Sequence, residues 1–393
     1  MKVSRLTFFL LIIFVTSCSK EGVDYEEFDF SLIGTIRLEN EIFSIHNIEF
    51  KNFNDSLIYG YDILKAVVFK FDSQGNLLKS NRFQNGENEI DLSYIGHLLP
   101  VNEDSIFVLE SGFGNLLLLD KDLEIRNSWN ILKLTGGNVS IAGSRNQIIN
   151  FQILDSDPYI TLTASNKNYF SSQKDYFENT FLAAKINLNS GEYKPLFKYP
   201  NESPYRENLF WGNEVPYFLL HKNEFFVTFP LDPNIYIFSE ESEDYRVIPY
   251  SGKLNKEAVG VKFGMYQDEF LSNHYLEVFH NKNDFYLASK NMFLTEDQTF
   301  FIRVGRKALN SGNFNYKDLN TFNNSGPKHE YIIQFVDLNQ QIEYKWKEFI
   351  LPEEYINFIH IDQNGNLYFN RENQDEEYSI DVLTWSFNDL SKL

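Results

Sequence analysis

Asp55-Ser-Leu-Ile-Tyr59, followed by Ala66-Val-Val-Phe-Lys-Phe-Asp72, is echoed downstream by Asp104-Ser-Ile-Phe-Val108 and Asn115-Leu-Leu-Leu-Leu-Asp120. Both passages read as polar turn, apolar strand, spacer, apolar strand ending in Asp, tight turn and strand. The first turn recurs at Asp155-Ser-Asp157, Lys222-Asn-Glu224, Lys282-Asn-Asp284 and Gln363-Asn-Gly365, each between two apolar runs. The spacing grows from about 49 to about 80 residues, as expected when loops of different length interrupt one shared unit. The second unit predicts strands at Ile95–Pro100, Ser105–Leu109, Asn115–Asp120 and Ile125–Ser128. The fourth predicts them at Tyr217–Leu220, Phe225–Phe229, Ile235–Phe238 and Tyr245–Pro249.

Composition supports strands throughout. Aromatic residues make up 17% of the chain, with 38 Phe and 23 Tyr, in short alternating runs separated by Asn, Asp, Gly and Ser. No long stretch keeps a helical period beyond the N-terminal segment. Four antiparallel strands repeated six times describe an all-β, six-bladed β-propeller. The last unit supplies only three strands: Ile356–Ile361, Leu367–Phe369 and Tyr378–Trp385. Phe30–Leu38 has no other partner, so it is expected to add the outer strand of the last blade and close the ring. A pair of β-sandwiches with long insertions is the competing architecture, because strand patterns alone do not fix closure.

The N-terminus carries a second signal. Lys2 and Arg5 precede an apolar run, Leu6 to Val15, of about ten residues, too short to span a bilayer and suited to a signal-peptide core. Val15-Thr-Ser-Cys18 follows, and Cys18 is the one cysteine in the chain. This resembles the lipobox of bacterial lipoproteins, which implies that Cys18 takes a diacylglycerol and becomes the new N-terminus. An ordinary secretory signal with an incidental cysteine is the alternative. The expected organisation is residues 1–17 as signal peptide, 18–28 as acylated cysteine and acidic tether, and 29–393 as a single propeller. The resemblance extends to Ser19, which is similar to the residue favouring the outer membrane; whether the body faces outward stays open.

The lipobox, the aromatic-rich repeats and the stretch Tyr199-Pro-Asn-Glu-Ser-Pro-Tyr205 through Trp211-Gly together resemble the six-bladed propeller lipoproteins of Bacteroidetes, a family with a domain of unknown function. The resemblance implies fold and location and brings no catalytic residues with it.

The chain carries a formal charge of −20; removing Lys2 and Arg5 with the leader takes it to −22. Phosphate binding needs a basic face, so nucleic acid is excluded as a partner. The expected partners are the membrane, through the lipid, and a protein or glycan. No nucleophile elbow, zinc-protease motif, phosphate loop or dinucleotide fingerprint is present, and no cofactor is expected. His274, Glu277 and His280 look metal-like, but on a strand Glu277 opposes both histidines, so no metal site is assigned. Asp362-Gln-Asn364-Gly-Asn366 reads as an Asn-Gly turn rather than a calcium loop.

Loop lengths are asymmetric. First-to-second and third-to-fourth turns share one face of a propeller and are short here. On the other face the chain runs long, at Ser165–Asn179, Asn291–Glu330 and Pro200–Pro216. Aromatics on these loops make Tyr205, Arg206, Phe210, Trp211, Tyr176 and Tyr316 the candidate binding residues, suited to stacking on sugars or gripping a peptide. The competing reading packs those aromatics back onto the ring. A binding or scaffolding module is the leading expectation. A propeller hydrolase or lyase is the alternative, with His97, Glu110, Asp91 and Glu277 as its channel-mouth candidates.

Cys18→Ser is expected to move the protein from the membrane fraction to the soluble fraction. Persistent pelleting that survives carbonate extraction would contradict the lipoprotein reading.

Overall fold

A computed structural model of the chain describes residues 31–37, 48–54, 56–83, 92–110, 112–141, 147–169, 173–207, 209, 215–242, 244–253, 286–287, 293–294, 300–306, 330–338, 344, 346–351, 355–361, 366–371 and 379–384. Strand β1 (Ser31–Arg37) comes first. β2 (Ile48–Asn54), β3 (Leu57–Asp62), β4 (Val67–Asp72) and β5 (Leu77–Arg82) form an antiparallel meander. β6 (Ile95–Asn102), β7 (Ser105–Glu110), β8 (Asn115–Leu119) and β9 (Ile125–Asn130) form the next. After a one-turn helix, Ile131–Leu134, comes β10 (Val139–Ser140). The third meander holds β11 (Ile148–Leu154), β12 (Asp157–Thr163), β14 (Ala183–Asn187) and β15 (Tyr193–Leu196); its long central loop contains β13 (Ser165–Asn166), which pairs with β10.

The fourth meander is β16 (Tyr217–His221), β17 (Glu224–Phe229), β18 (Asp232–Ser239) and β19 (Tyr245–Ile248). The fifth sheet contains β20 (Tyr286–Leu287), β21 (Phe293–Leu294), β22 (Phe300–Arg306), β23 (Tyr331–Asp337) and β24 (Trp346–Ile350). The sixth meander, β25 (Tyr355–Ile361), β26 (Leu367–Arg371) and β27 (Ser379–Thr384), accepts β1 on its outer edge. The protein is all-β, its main sheets antiparallel throughout.

The repeated strand ending in Asp has a local cause. Asp72 Oδ1 accepts the N–H groups of Gln74 and Asn76, and Asp120 Oδ1 those of Asp122 and Glu124. In the third meander Asn187 Oδ1 does the same for Asn189 and Ser190. A short polar side chain at this place satisfies the N–H groups of the tight third-to-fourth turn, which explains why the motif repeats. With the exposed turn anchored, Asp72 itself is held below the usual carboxylate range, first by the bond from the Asn76 side chain.

The core lies between sheets rather than inside one. Along β7, Ile106 and Val108 pack toward the first meander, while Phe107 and Leu109 pack toward the third. The same period of two lets consecutive meanders share clusters from first to sixth. Second and third strands are therefore buried on both faces, as in Leu116-Leu-Leu-Leu119, and read as continuous apolar runs. Fourth strands lie outermost and are more exposed, as in β9 and β15.

Innermost strands neighbour one another in order: β25 approaches β2, β2 approaches β6, β6 approaches β11, and β11 approaches β16. β1 pairs with β27 from Ser31↔Thr384 to Arg37↔Ser379, and Thr35 donates its hydroxyl to buried Asp381 at 2.7 Å. The same strand touches the first meander. Gly75, at φ +90° in the β4–β5 turn, lies so close to β1 that a Cβ would overlap the Arg37 carbonyl oxygen.

One unit departs from the sequence expectation. The turn expected at Lys282–Asp284 lies outside the described residues. β20 and β21 both pair with the same edge of β22, opposite β23. Phe300–Arg306 is therefore an interior strand of the sheet. The stretch expected as one loop, Asn291–Glu330, thus contains strands β21 and β22.

Gly75→Ala should destabilise the protein by about 2 kcal/mol or more, because Ala suits neither the positive φ nor the space. Gly34→Ala, with nothing within 4 Å of the added methyl, should leave stability unchanged or slightly raised. Chemical denaturation of both variants checks the contact; equal midpoints would show that β1 does not press on this turn.

Candidate functional site

The segment between the third and fourth meanders builds a plug and, beside it, a groove. Pro204 occupies the first position of a single 3-10 turn, Pro204–Arg206, which turns Tyr205 inward. Tyr205 is fully buried, its ring 5.5 Å from Phe177 and Phe229 and 5.7 Å from Tyr199. Its hydroxyl oxygen accepts the N–H of Leu231 at 3.2 Å. Tyr176 is buried as well, edge-on to Phe177 at 5.1 Å. Arg206 donates to the Phe177 carbonyl at 2.8 Å and reaches Asn201 Oδ1 at 3.4 Å.

These positions correct the surface role expected for two of the tyrosines. Tyr205 and Tyr176 fill the space between two sheets, where aromatic faces gain more by packing than by waiting for a ligand. Arg206 braces the same loop. Phe210, Trp211, Tyr316 and Cys18, the residue expected to carry a lipid, lie outside the described residues, as do Asp91, Glu277, His274 and His280.

The groove has a volume of about 390 Å³ and lies between β15 with its continuation to Lys198 and the β18–β19 turn. Phe197 forms its wall in an unusual conformation. Its φ is +59°, a left-handed value that a bulky side chain seldom adopts and that costs about 1–3 kcal/mol. Contacts with Phe238 at 4.8 Å, Phe225 at 5.0 Å and Phe218 at 6.2 Å hold the ring there. Phe181 and Tyr245 are half-buried on the same groove.

Polar groups form the rim. Tyr245 Oη donates to Glu202 at 2.5 Å and accepts the Asn201 N–H at 2.9 Å. Burial first, then the Glu202 bond, pushes this phenol above its ordinary pKa, so it stays protonated. Glu240 is paired with Lys185 at 2.6 Å, and its carbonyl accepts from Lys194 at 3.0 Å. Lys198 and Glu241 are exposed on the same rim. The groove offers aromatic surface below and charges of both signs above. No motif pointed to it, because its residues come from three separated segments and its shape depends on how two sheets splay.

The residues expected to serve a catalytic alternative are found in braces. Glu110 is fully buried, accepting the N–H and hydroxyl of Ser93 at 2.8 Å and the Asn115 side chain at 2.6 Å. His97 Nδ1 accepts the Ile148 N–H at 3.3 Å, tying the second meander to the third. Among the described residues no group of three or more His, Cys, Asp or Glu could hold a metal ion.

Sequence reading also missed a buried polar row across β22, β23 and β24. Arg303 Nε donates to Gln334 at 2.8 Å, and Gln334 donates to Glu348 at 2.6 Å. Tyr250 and the Lys253 N–H also donate to Glu348, and a second Arg303 nitrogen donates to the Pro233 carbonyl on β18. The guanidinium stacks 4.5 Å from the Trp346 ring centre. Burial pushes the Arg303 pKa down to about 9, against the pull of Tyr250 and Glu348. This row joins the fourth sheet to the fifth.

No family model matches the sequence, and no curated protein matches it. Solved structures do. A member of the DUF4221 family from Bacteroides vulgatus is 13% identical, with a TM-score of 0.64 over 92% of this chain and 99% of that one. A Bacteroides fragilis protein described as exported is 11% identical, with a TM-score of 0.52 over 92% and 99%. The β-propeller domain of Cps50 from Myceliophteria thermophila is 9% identical, with a TM-score of 0.42 over 87% and 98%. At these identities the likeness is one of fold.

Tyr205→Ala should cost about 3–5 kcal/mol as a large buried ring is lost. Tyr205→Phe should cost about 1 kcal/mol for the hydrogen bond alone. Urea midpoints measure both; an unchanged midpoint for the alanine variant would return Tyr205 to the surface.

Proposed function

We propose that this chain is an envelope-anchored, six-bladed propeller lipoprotein that acts as a binding module for a protein or glycan. Six antiparallel units, the ordered approach of their first strands and the pairing of β1 with β27 support a closed ring. The lipobox-like Val15–Cys18 supports the anchor. Among the described residues no helix is long and apolar enough to cross a membrane. An exported Bacteroides protein of similar fold agrees with an envelope location.

The observation that carries the binding role is the groove. About 390 Å³ of space with aromatic walls and a few polar groups has the size and chemistry of a small-ligand site. Rigid propeller sheets hold the walls in place, so little order is lost when a ligand docks. The buried carboxylates, in contrast, spend their hydrogen-bonding capacity inside the fold.

The test compares the wild type with a Lys198→Glu, Glu241→Lys double variant as bait for envelope glycans and proteins. Both changes lie on the exposed rim, so the melting temperature should stay the same. Captured material should fall at least tenfold. Identical capture by bait of equal stability would contradict a binding role for the groove.

A further inference from the structure

We infer that the groove and a smaller recess beside it form one two-lobed site for a neutral saccharide, its rings on the aromatic walls and a hydroxyl-bearing substituent in the recess. This rests on the binding-module reading and names the ligand class within it. The inference stands on the recess, the charge balance of the groove and the groove's aromatic walls.

The recess has a volume of about 70 Å³ and is lined from β10, β12, β13 and the residues just before β14. Ser140, Thr163, Ser165, Tyr176 and Tyr199 bring hydroxyl groups to its lining, and no charged residue lines it. Ser140 and Ser165 lie opposite each other across the β10–β13 pair, both half-buried. Thr163 Oγ1 accepts the Gln147 N–H at 2.6 Å, which holds that side chain in place. A hydroxyl can donate and accept at once, so such a lining matches the hydroxyl groups of a ligand rather than a formal charge. Phe181 and Tyr199 line both the recess and the groove, so the two spaces share a wall.

Charge at the groove balances among the described residues. Lys185, Lys194 and Lys198 stand with Glu202, Glu240 and Glu241. Lys185 pairs with Glu240 at 2.6 Å, Lys194 donates to the Glu240 carbonyl, and Glu202 accepts from Tyr245. At the margin Arg206, bonded to Asn201, and Asp244, bonded to Ser242, add one charge of each sign. A chain with 55 acidic and 35 basic residues thus keeps this place close to neutral. A ligand of either charge gains no net attraction there and meets a like charge on the rim. An uncharged ligand rich in hydroxyls can use the same lysines as donors and the same carboxylates as acceptors.

The walls supply the rest. Phe181, Phe197 and Tyr245 are half-buried, each presenting part of its surface to the groove while the remainder is packed. Three phenylalanines hold the Phe197 ring in the wall despite its left-handed φ. A neutral sugar ring has C–H groups on its faces and hydroxyls around its edge, which fits aromatic walls below a donor-and-acceptor rim. A purely apolar ligand could fill the groove, but it would leave the polar groups of the recess and rim unpaired.

The experiment titrates the full-length chain, in a detergent without a sugar headgroup, with cellotetraose, maltotetraose, mannotetraose, a tetramer of galacturonate and a glycine-serine peptide. Isothermal calorimetry should show at least one neutral tetrasaccharide binding more tightly than the galacturonate and the peptide. Its Kd should change less than twofold between about 50 and 500 mM salt, as expected without a charged contact. A Ser140→Ala, Ser165→Ala double variant should weaken that binding at least tenfold with an unchanged melting temperature, and Phe181→Ala should weaken it as well. No neutral tetrasaccharide bound at millimolar concentration, tighter binding of galacturonate or peptide, or full binding by the serine double variant would each overturn the assignment. If the bait comparison still shows capture that depends on the groove, only the ligand class falls. If that capture is independent of the groove, the binding-module reading falls with it.

Discussion

Every meander in this protein has two apolar faces, and both must be covered. Consecutive meanders cover each other along the chain, but the first and last each keep one face without a sequence neighbour. β1 links the two. It completes the last sheet by pairing with β27 and lays its Arg37 carbonyl against Gly75 of the first. The approach of β25 to β2 lies on the same seam. Without β1, the edge of β27 would meet water.

The groove follows from the same arrangement. When sheets stand side by side with their first strands close together, their outer strands diverge, and wedge-shaped gaps open at the perimeter. Most of these gaps are filled by apolar side chains from the two facing sheets. Between the third and fourth sheets the filling is aromatic and incomplete: Tyr205, Tyr199 and Phe229 close the deeper part, and Phe197 lines what is left. Between the fourth and fifth sheets the polar row from Arg303 to Glu348 does the corresponding work with hydrogen bonds. A buried arginine is costly unless paired, so that junction depends on every member of the row. The two gaps differ in chemistry, one lined by aromatic rings and the other bridged by hydrogen bonds.

Much of the fold was legible because local rules repeat. Polar turns between apolar runs placed the second and fourth meanders to within a few residues, and the three-strand last unit correctly assigned a partner to Ser31–Arg37. The fifth sheet was misread because 291–330 reads as one loop, whereas β21 and β22 lie within it. β20 and β21 are two residues each, too short to show in the sequence, and only pairing with β22 reveals them. The site was harder to read. Tyr205 has the composition of a hot-spot residue, yet the 3-10 turn aims it inward; aromatic loops look the same in sequence whether they bind or pack. Arg303 lay within an apolar run with nothing to signal its partners at 334 and 348. The groove joins residues near 181, 197 and 241, whose proximity is a product of tertiary splay alone.

The most direct measurement is thermal unfolding of two internal deletions, one lacking residues 29–38 and one lacking 19–27. If β1 closes the body, the first deletion exposes the edge of β27 and uncouples the first sheet from the last. Its melting temperature should fall by many degrees, while the second deletion melts with the wild type. Equal melting temperatures for the two would contradict closure by β1.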